Sequence, residues 1–137
     1  VAESLARVEL AIASEDDVVI VRRRVKTMAQ ERGFDPFATA AVTTAASELA
    51  RNVLVHAKGG RAVVEAIAEG GRKGLRLELR DQGPGIADLE RALAGGYSTA
   101  RSLGLGLSGS RRLVDEFHIE TQVGAGTLIR VVKWARY

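Results

Sequence analysis

Glu48 and Asn52 stand four residues apart in a segment of helical periodicity, so their side chains share one face about 6 Å apart along the axis. A carboxylate and an amide at that spacing can divide a reaction between them. Glu48 can take a proton from an attacking hydroxyl or water. The neutral amide oxygen of Asn52 is a hard ligand suited to Mg²⁺, an ion that keeps waters and nucleotide phosphates in its shell. Thr44 and His56 extend the row, and a row of Thr, Glu, Asn and His also reads simply as the solvated face of a helix. Two further stretches carry chemistry. In Asp81-Gln82-Gly83-Pro84-Gly85 the glycines let backbone approach a flat ligand, and the carboxylate can accept a hydrogen bond from an exocyclic amine such as adenine's. The same residues also make an ordinary turn. Gly104-Leu105-Gly106-Leu107-Ser108-Gly109 spells G-x-G-x-x-G, a loop whose amides can meet phosphates at the start of a helix from Leu107.

These residues need elements to hold them. Residues 6–13 alternate loosely and read as a strand. Ser14 with Asp17 forms a helix N-cap pair, and Val18, Val21, Val25 and Met28 follow at helical spacing until Gly33. The opposite face carries Arg22, Arg23, Lys26 and Gln30. Asp35-Pro36 starts a second helix with the apolar stripe Val42, Ala45, Ala46, Leu49 and Val53, stopping near His56. Residues 61–68 and 75–80 are strand-like, with a turn over 69–74, so a hairpin is expected. Residues 87–93 suit a short helix, and 95–106 a mobile loop. A third helix is expected over 107–117, with Leu107, Leu113, Val114 and Phe117 as its apolar points. Residues 118–123 and 127–134 form a last hairpin around Gly124-Ala125-Gly126. The order of elements predicts an α+β, two-layer α/β sandwich, its helices on one face of a mainly antiparallel mixed sheet.

Bulk properties narrow the function classes. With 137 residues the chain is expected to form a single domain over 1–137, large enough for a core without staples. It has no cysteine, which removes disulfides and thiolate metal sites. No apolar run approaches the roughly 20 residues that span a bilayer, and residues 1–7 do not resemble a secretory signal, so a cytoplasmic location is expected. The net charge is only +3 and 4% of residues are aromatic, which leaves few base-stacking platforms. Neither nucleic acid nor membrane is expected as a partner. Arg22-Arg23-Arg24 with Lys26 is the one basic cluster, either a solvated face or a surface for an acidic partner.

The glycine string has a rival reading as a dinucleotide fingerprint. Residues 97–103 lack the β-branched strand run that should precede one, and only 28 residues follow Gly109, too few for the rest of a doubly wound sheet. No G-x-x-x-x-G-K-[S/T] string exists, so a P-loop is excluded. Taken together, the three stretches resemble the N, G1 and G2 boxes of the GHKL ATPase superfamily, which includes gyrase and the histidine kinases. The resemblance runs over about residues 5–134. Within that superfamily the chain looks most like the small bacterial switch kinases that control alternative sigma factors, above all the RsbT-type serine/threonine kinases. Ala45-Ala46-Ser47-Glu48-Leu49-Ala50-Arg51-Asn52, Asp81-Gln82-Gly83-Pro84-Gly85-Ile86, Gly95-Gly96-Tyr97-Ser98-Thr99 and the string from Gly104 to Gly109 carry it.

That resemblance implies the Bergerat fold, ATP and Mg²⁺ as cofactors, and a role for each matching residue. Glu48 matches the catalytic base, Asn52 the Mg²⁺ ligand and Asp81 the adenine-reading acid, with Gly83, Gly85 and Ile86 beside it. Gly104 and Gly106, with Leu105 and Leu107, match the lid end near the phosphates. Tyr97, Ser98 and Thr99 match the lid itself, and Thr127 the strand hydroxyl near the adenine. Arg101, in the same presumed lid, can reach a γ-phosphate or stay a solvated loop arginine. His56 and His118 lack the helical hairpin of a phosphoacceptor domain, so any phosphoryl acceptor is expected on another protein. By resemblance that protein is a STAS-domain antagonist, and a PP2C-type phosphatase is a further partner. The alternative is an anti-sigma factor that sequesters a sigma factor and phosphorylates its antagonist.

Overall fold

The computed structural model describes residues 2–87 and 103–135. Its helical layer begins with a capping box. The Ser14 hydroxyl accepts from the amide of Asp17 at 3.4 Å, and the Asp17 carboxylate accepts from the amides of Ser14 and Ala13 at 3.1 and 2.8 Å. Glu15, Asp16 and Asp17 put negative charge on the positive end of the helix dipole, and α1 runs Glu15–Glu31. Asp35 caps α2, accepting from Ala38 N at 2.7 Å, and Pro36 takes the first helical position, where its missing N–H costs nothing. Helix α2 spans Pro36–Ala57 and stops where Lys58 turns left-handed.

Five strands make the other layer: β1 Glu3–Ile12, β2 Gly60–Glu69, β3 Arg72–Asp81, β4 Glu116–Gln122 and β5 Gly126–Trp134. They lie in the order β1-β2-β3-β5-β4, and every neighbouring pair is antiparallel. The third helix, α3, covers Leu103–Leu113. Helix α2 lies between α1 and α3 and packs on both. Its small residues Ala45, Ala46 and Ala50 are fully buried, which lets neighbouring backbone approach closely. The core is the covered face of the sheet (Val64, Leu75, Leu77, Leu79, Ile129, Val131) under Val18, Val21, Val25, Val42, Leu49, Val53 and Leu107.

The α+β sandwich is as expected, and the sheet is wholly antiparallel. The turn between β2 and β3 is tighter than a 69–74 loop, because Gly70 and Gly71 both take positive φ and close a two-residue connection. The third helix is displaced from its expected span of 107–117. It starts four residues earlier, through Gly104 and Gly106, and ends at Leu113. Phe117 belongs to β4, opposite Val131, so its apolar side chain serves a strand rather than the helix. Glycine lowers helix propensity without forbidding the helix, and packing of Leu107 against α2 and the sheet offsets that cost. The expected short helix over 87–93 and most of the 95–106 loop, with Tyr97, Ser98, Thr99 and Arg101, lie outside the described residues.

Candidate functional site

Register places three polar residues in one row across the sheet. Asp81 at the end of β3 pairs with Thr127 on β5, and Thr127 pairs with Thr121 on β4. The row lies on the helix-covered face, beside the last turns of α2. Asn52, His56, Asp81, Gly85, Ile86, Leu107 and Thr127 line one cleft there, closed by Leu49, Val53 and Ile129. Its enclosed volume is about 30 Å³, room for one water, so a purine requires the walls to part.

Glycines set the shape of the turn after β3. A Cβ on Gly83 would sit 2.6 Å from that of Ala57, so only glycine lets the turn lie against the end of α2. Gly83 N donates to the Asp81 carboxylate at 2.9 Å, which fixes one carboxylate oxygen and leaves the other to a ligand. Gly85 takes φ 76°, and a Cβ there would meet the carbonyl of Gln122 at 2.4 Å. The turn is therefore seated on the β4–β5 hairpin, where Gly124 N donates to Pro84 O at 2.9 Å. Gly126, at φ 117°, plays the same part for the hairpin, since a Cβ would lie 2.2 Å from Asp81 O.

On α2, Asn52 is half-buried and its amide nitrogen, a donor, is fully buried without a hydrogen-bond partner among the described residues. An unpaired buried polar atom costs about 1–3 kcal/mol, so the position is held against stability. Glu48 is one turn earlier and partly exposed, and Arg51 lies 3.9 Å from it and 3.9 Å from Glu15 on α1. His56 is half-buried in the cleft. Burial holds its pKa below the ordinary histidine value, while the charge of Asp81 pulls the other way. Among the described residues no group of three or more His, Asp or Glu can hold a metal. A Mg²⁺ carried on a nucleotide would need only one ligand from the protein, which the amide oxygen of Asn52 would supply.

The structure thus brings Asn52, Asp81, Gly85, Ile86, Leu107 and Thr127 into one cleft, with Gly83 in the turn beside it, while Glu48, one helical turn before Asn52, is not among the residues that line it. Gly104, Leu105 and Gly106 lie in the first turn of α3 rather than in a loop, and the amides of a helix's first turn make no bond within the helix. Sequence reasoning missed Thr121, whose hydroxyl touches both Ile86 and Thr127. The signal was present: a hairpin centred on Gly124 pairs 121 with 127. His56, which extends the Glu48–Asn52 row in the sequence, also lines the cleft.

A larger groove of about 890 Å³ runs over the strand ends on the side of Arg61, Arg80 and Glu120. Arg61 there pairs with Glu9, Arg80 with Glu78 at 2.9 Å and His118 with Glu120 at 2.7 Å. Asp81 and Thr127 line both spaces, and Thr121 lines the larger one, so the cleft opens onto the groove along the Asp81–Thr127 row.

Comparison with known proteins agrees with this geometry. The histidine kinase-like ATPase domain family matches residues 11–133. The chain is 43% identical over 125 residues to the serine/threonine-protein kinase RsbT of Bacillus subtilis, covering 91% of this chain and 94% of that one. It is 31% identical over 99 residues to an anti-sigma F factor of a Thermoanaerobacter species, covering 68% of each. In three dimensions it resembles the RsbU and RsbW domains of a Mycobacterium tuberculosis protein, with a TM-score of 0.66 at 20% identity, over 96% of this chain and 33% of that one. It also resembles a chain of the SiaB–SiaC complex of Pseudomonas aeruginosa, with a TM-score of 0.59 at 12% identity, over 96% and 90%. These two likenesses concern the fold. The chain belongs to the histidine kinase-like ATPase domain family, and within it to the serine/threonine-protein kinases.

Proposed function

We propose that the chain transfers the γ-phosphoryl group of Mg²⁺·ATP to a Ser or Thr of a STAS-domain antagonist, and that it also binds a PP2C-type phosphatase, in the cytoplasm. The observation that carries the site assignment is the cleft in which Asn52 of α2 meets Asp81, Gly85, Ile86 and Thr127. The 43% identity to RsbT supports the choice of acceptor class. Asp81 and Thr127 would hold the adenine, and the amide oxygen of Asn52 would hold a Mg²⁺ carried on the nucleotide. When bound, Mg²⁺ neutralises charge developing on the transferred group. Glu48 orients the partner's hydroxyl and takes its proton. The free amides of α3's first turn face the phosphates. Gly104, Leu105 and Gly106 act there, with Tyr97, Ser98, Thr99 and Arg101 as the lid.

The partner needs a place to dock. Arg22, Arg23, Arg24 and Lys26 are all exposed on α1, and none makes an ion pair among the described residues. Val19 and Ile20 on the same helix are 41% and 47% exposed. A basic face with apolar residues between its charges suits an acidic, partly apolar segment of a protein. Reversing the three arginines to Glu weakens partner capture and leaves ATP affinity unchanged; unaltered capture removes α1 from the docking surface.

The test of the reaction is transfer of labelled phosphate from ATP to candidate STAS-domain proteins, with Glu48→Gln and Asn52→Ala as controls. Retention of Mg²⁺-dependent transfer by Asn52→Ala would defeat the site assignment. The anti-sigma reading shares the ATP site and draws support from the anti-sigma F relatives. A pull-down that recovers a sigma factor, and neither STAS nor phosphatase partners, would replace the first reading with that one.

A further inference from the structure

Thr121 lies outside the cleft, yet its hydroxyl joins the two elements that frame it. Ile86 N donates to Thr121 Oγ1 at 2.9 Å, Thr127 Oγ1 lies 2.9 Å away and Gly126 O lies 3.3 Å away. A hydroxyl has one proton to give and two lone pairs to receive with. One lone pair is occupied by Ile86. If the Thr121 proton goes to the Gly126 carbonyl, the second lone pair takes the proton of Thr127, and every capacity of the Thr121 oxygen is used. In the reverse arrangement Thr121 donates to Thr127 and the Gly126 carbonyl loses that donor. The first arrangement satisfies more of these part-buried groups.

Its consequence lies in the cleft. With its proton turned toward Thr121, the Thr127 hydroxyl presents only lone pairs to a ligand. The Asp81 carboxylate is also an acceptor, and its register places it beside Thr127. Two neighbouring acceptors match a ring that offers an exocyclic amine. They repel one that offers a carbonyl oxygen at the same place.

We infer that Thr121 is a positioning residue that sets base selectivity, by fixing the Thr127 hydroxyl as an acceptor next to Asp81 so that an amino-purine is preferred to its oxo counterpart. The inference rests on the reading of Asp81 and Thr127 as the base-recognition pair. Thr121 itself touches no ligand. It works through Thr127 and through the Ile86 end of the Asp81 turn.

The experiment is calorimetric titration of the whole chain with ADP and with IDP, in excess Mg²⁺, for wild type, Thr121→Val, Thr121→Ser and Asp81→Asn. The quantity read is the ratio of the two dissociation constants, which general loosening of the fold leaves unchanged. Thr121→Val should lower the preference for ADP by about tenfold, since one redirected hydrogen bond corresponds to about 1.4 kcal/mol. Thr121→Ser should keep it. An unchanged ratio in Thr121→Val overturns the inference, and so does a ratio lost equally in Thr121→Ser. Should valine disturb folding, as judged by circular dichroism, Thr121→Ala is measured in its place. Asp81→Asn separates the two levels. If its ratio also stays at the wild-type value, the base-recognition reading itself fails; if it collapses while Thr121→Val does not, only the relay fails.

Discussion

The two faces of the sheet are built by opposite rules. On the open face the charges are paired across the strands. Glu65 accepts from Arg76 at 3.1 and 3.2 Å, and Glu78 is shared by Arg80 and Arg130 at 2.9 and 3.1 Å. Arg72 stacks 3.9 Å over the Trp134 ring, whose indole N–H donates to Glu116 at 3.1 Å. On the covered face apolar packing fills the interior, and among the described residues Thr43, Ser47, Asn52 and Ser110 each keep a buried polar atom without a hydrogen-bond partner; of these, Asn52 lines the cleft, beside the hydroxyl chain. A satisfied polar lattice has nothing left to bind. A buried group without a partner keeps a capacity that a ligand within its reach can use.

The largest effect that tests this contrast falls on activity. Asn52→Ala should cut phosphoryl transfer by about 10²–10³-fold, as for loss of one preorganised group at a charged transition state. Its thermal unfolding midpoint should not fall, because an unsatisfied buried amide is removed. A mutant that loses activity and stability together would show that Asn52 is structural. Next comes the covered face itself. Leu77→Ala, at a side chain only 1% exposed, should cost about 2–5 kcal/mol in urea unfolding. Glu78→Gln on the open face should cost no more than about 1 kcal/mol by the same measurement, since both arginine partners reach solvent. A larger loss there would mean that the lattice contributes more to the fold than exposed ion pairs usually do.

The smallest effect is in pH. His56 has a lowered pKa, chiefly from burial, so the unfolded chain binds its proton more readily than the folded one. Stability should therefore decline as pH falls below about 6.5, the value of an unperturbed histidine, and His56→Gln should remove that limb. Glu65 and Glu78 act further down. Burial raises both, but hydrogen bonds and charges outweigh it: Ser4, Arg76 and Arg7 at Glu65, and Arg80 and Arg130 at Glu78. Their contribution is complete above the ordinary glutamate range and fades as pH falls through their lowered values. Urea midpoints between pH 4 and pH 8, for wild type and His56→Gln, separate the two limbs.

Elements with strong local signals were legible without the fold. The Ser14 and Asp35 caps, the apolar stripes of α1 and α2 and the strand alternation are set by neighbours within a few residues. The start of α3 was not legible. Two glycines at 104 and 106 argue against a helix locally, and the helix gains its stability from Leu107 packing against α2 and the sheet. The site divides the same way. Glu48, Asn52, Asp81 and Thr127 stand in recognisable strings. Their convergence depends on a β3–β5 register that joins residues 46 positions apart, Asp81 and Thr127.

By itself, the order of residues determined the types of element, the acid and amide on one helix face and the resemblance to a nucleotide-using kinase family. The tertiary structure alone decided which polar groups are spent and which are free. That distinction depends on distance and burial rather than residue type: Glu78 and Glu48 are the same acid, one held by Arg80 and Arg130 at 2.9 and 3.1 Å and the other only 3.9 Å from Arg51. It also decided that Thr121, an unremarked residue on an edge strand, stands against Thr127 and Ile86, because only the folded sheet brings three hydrogen-bonding groups to one oxygen.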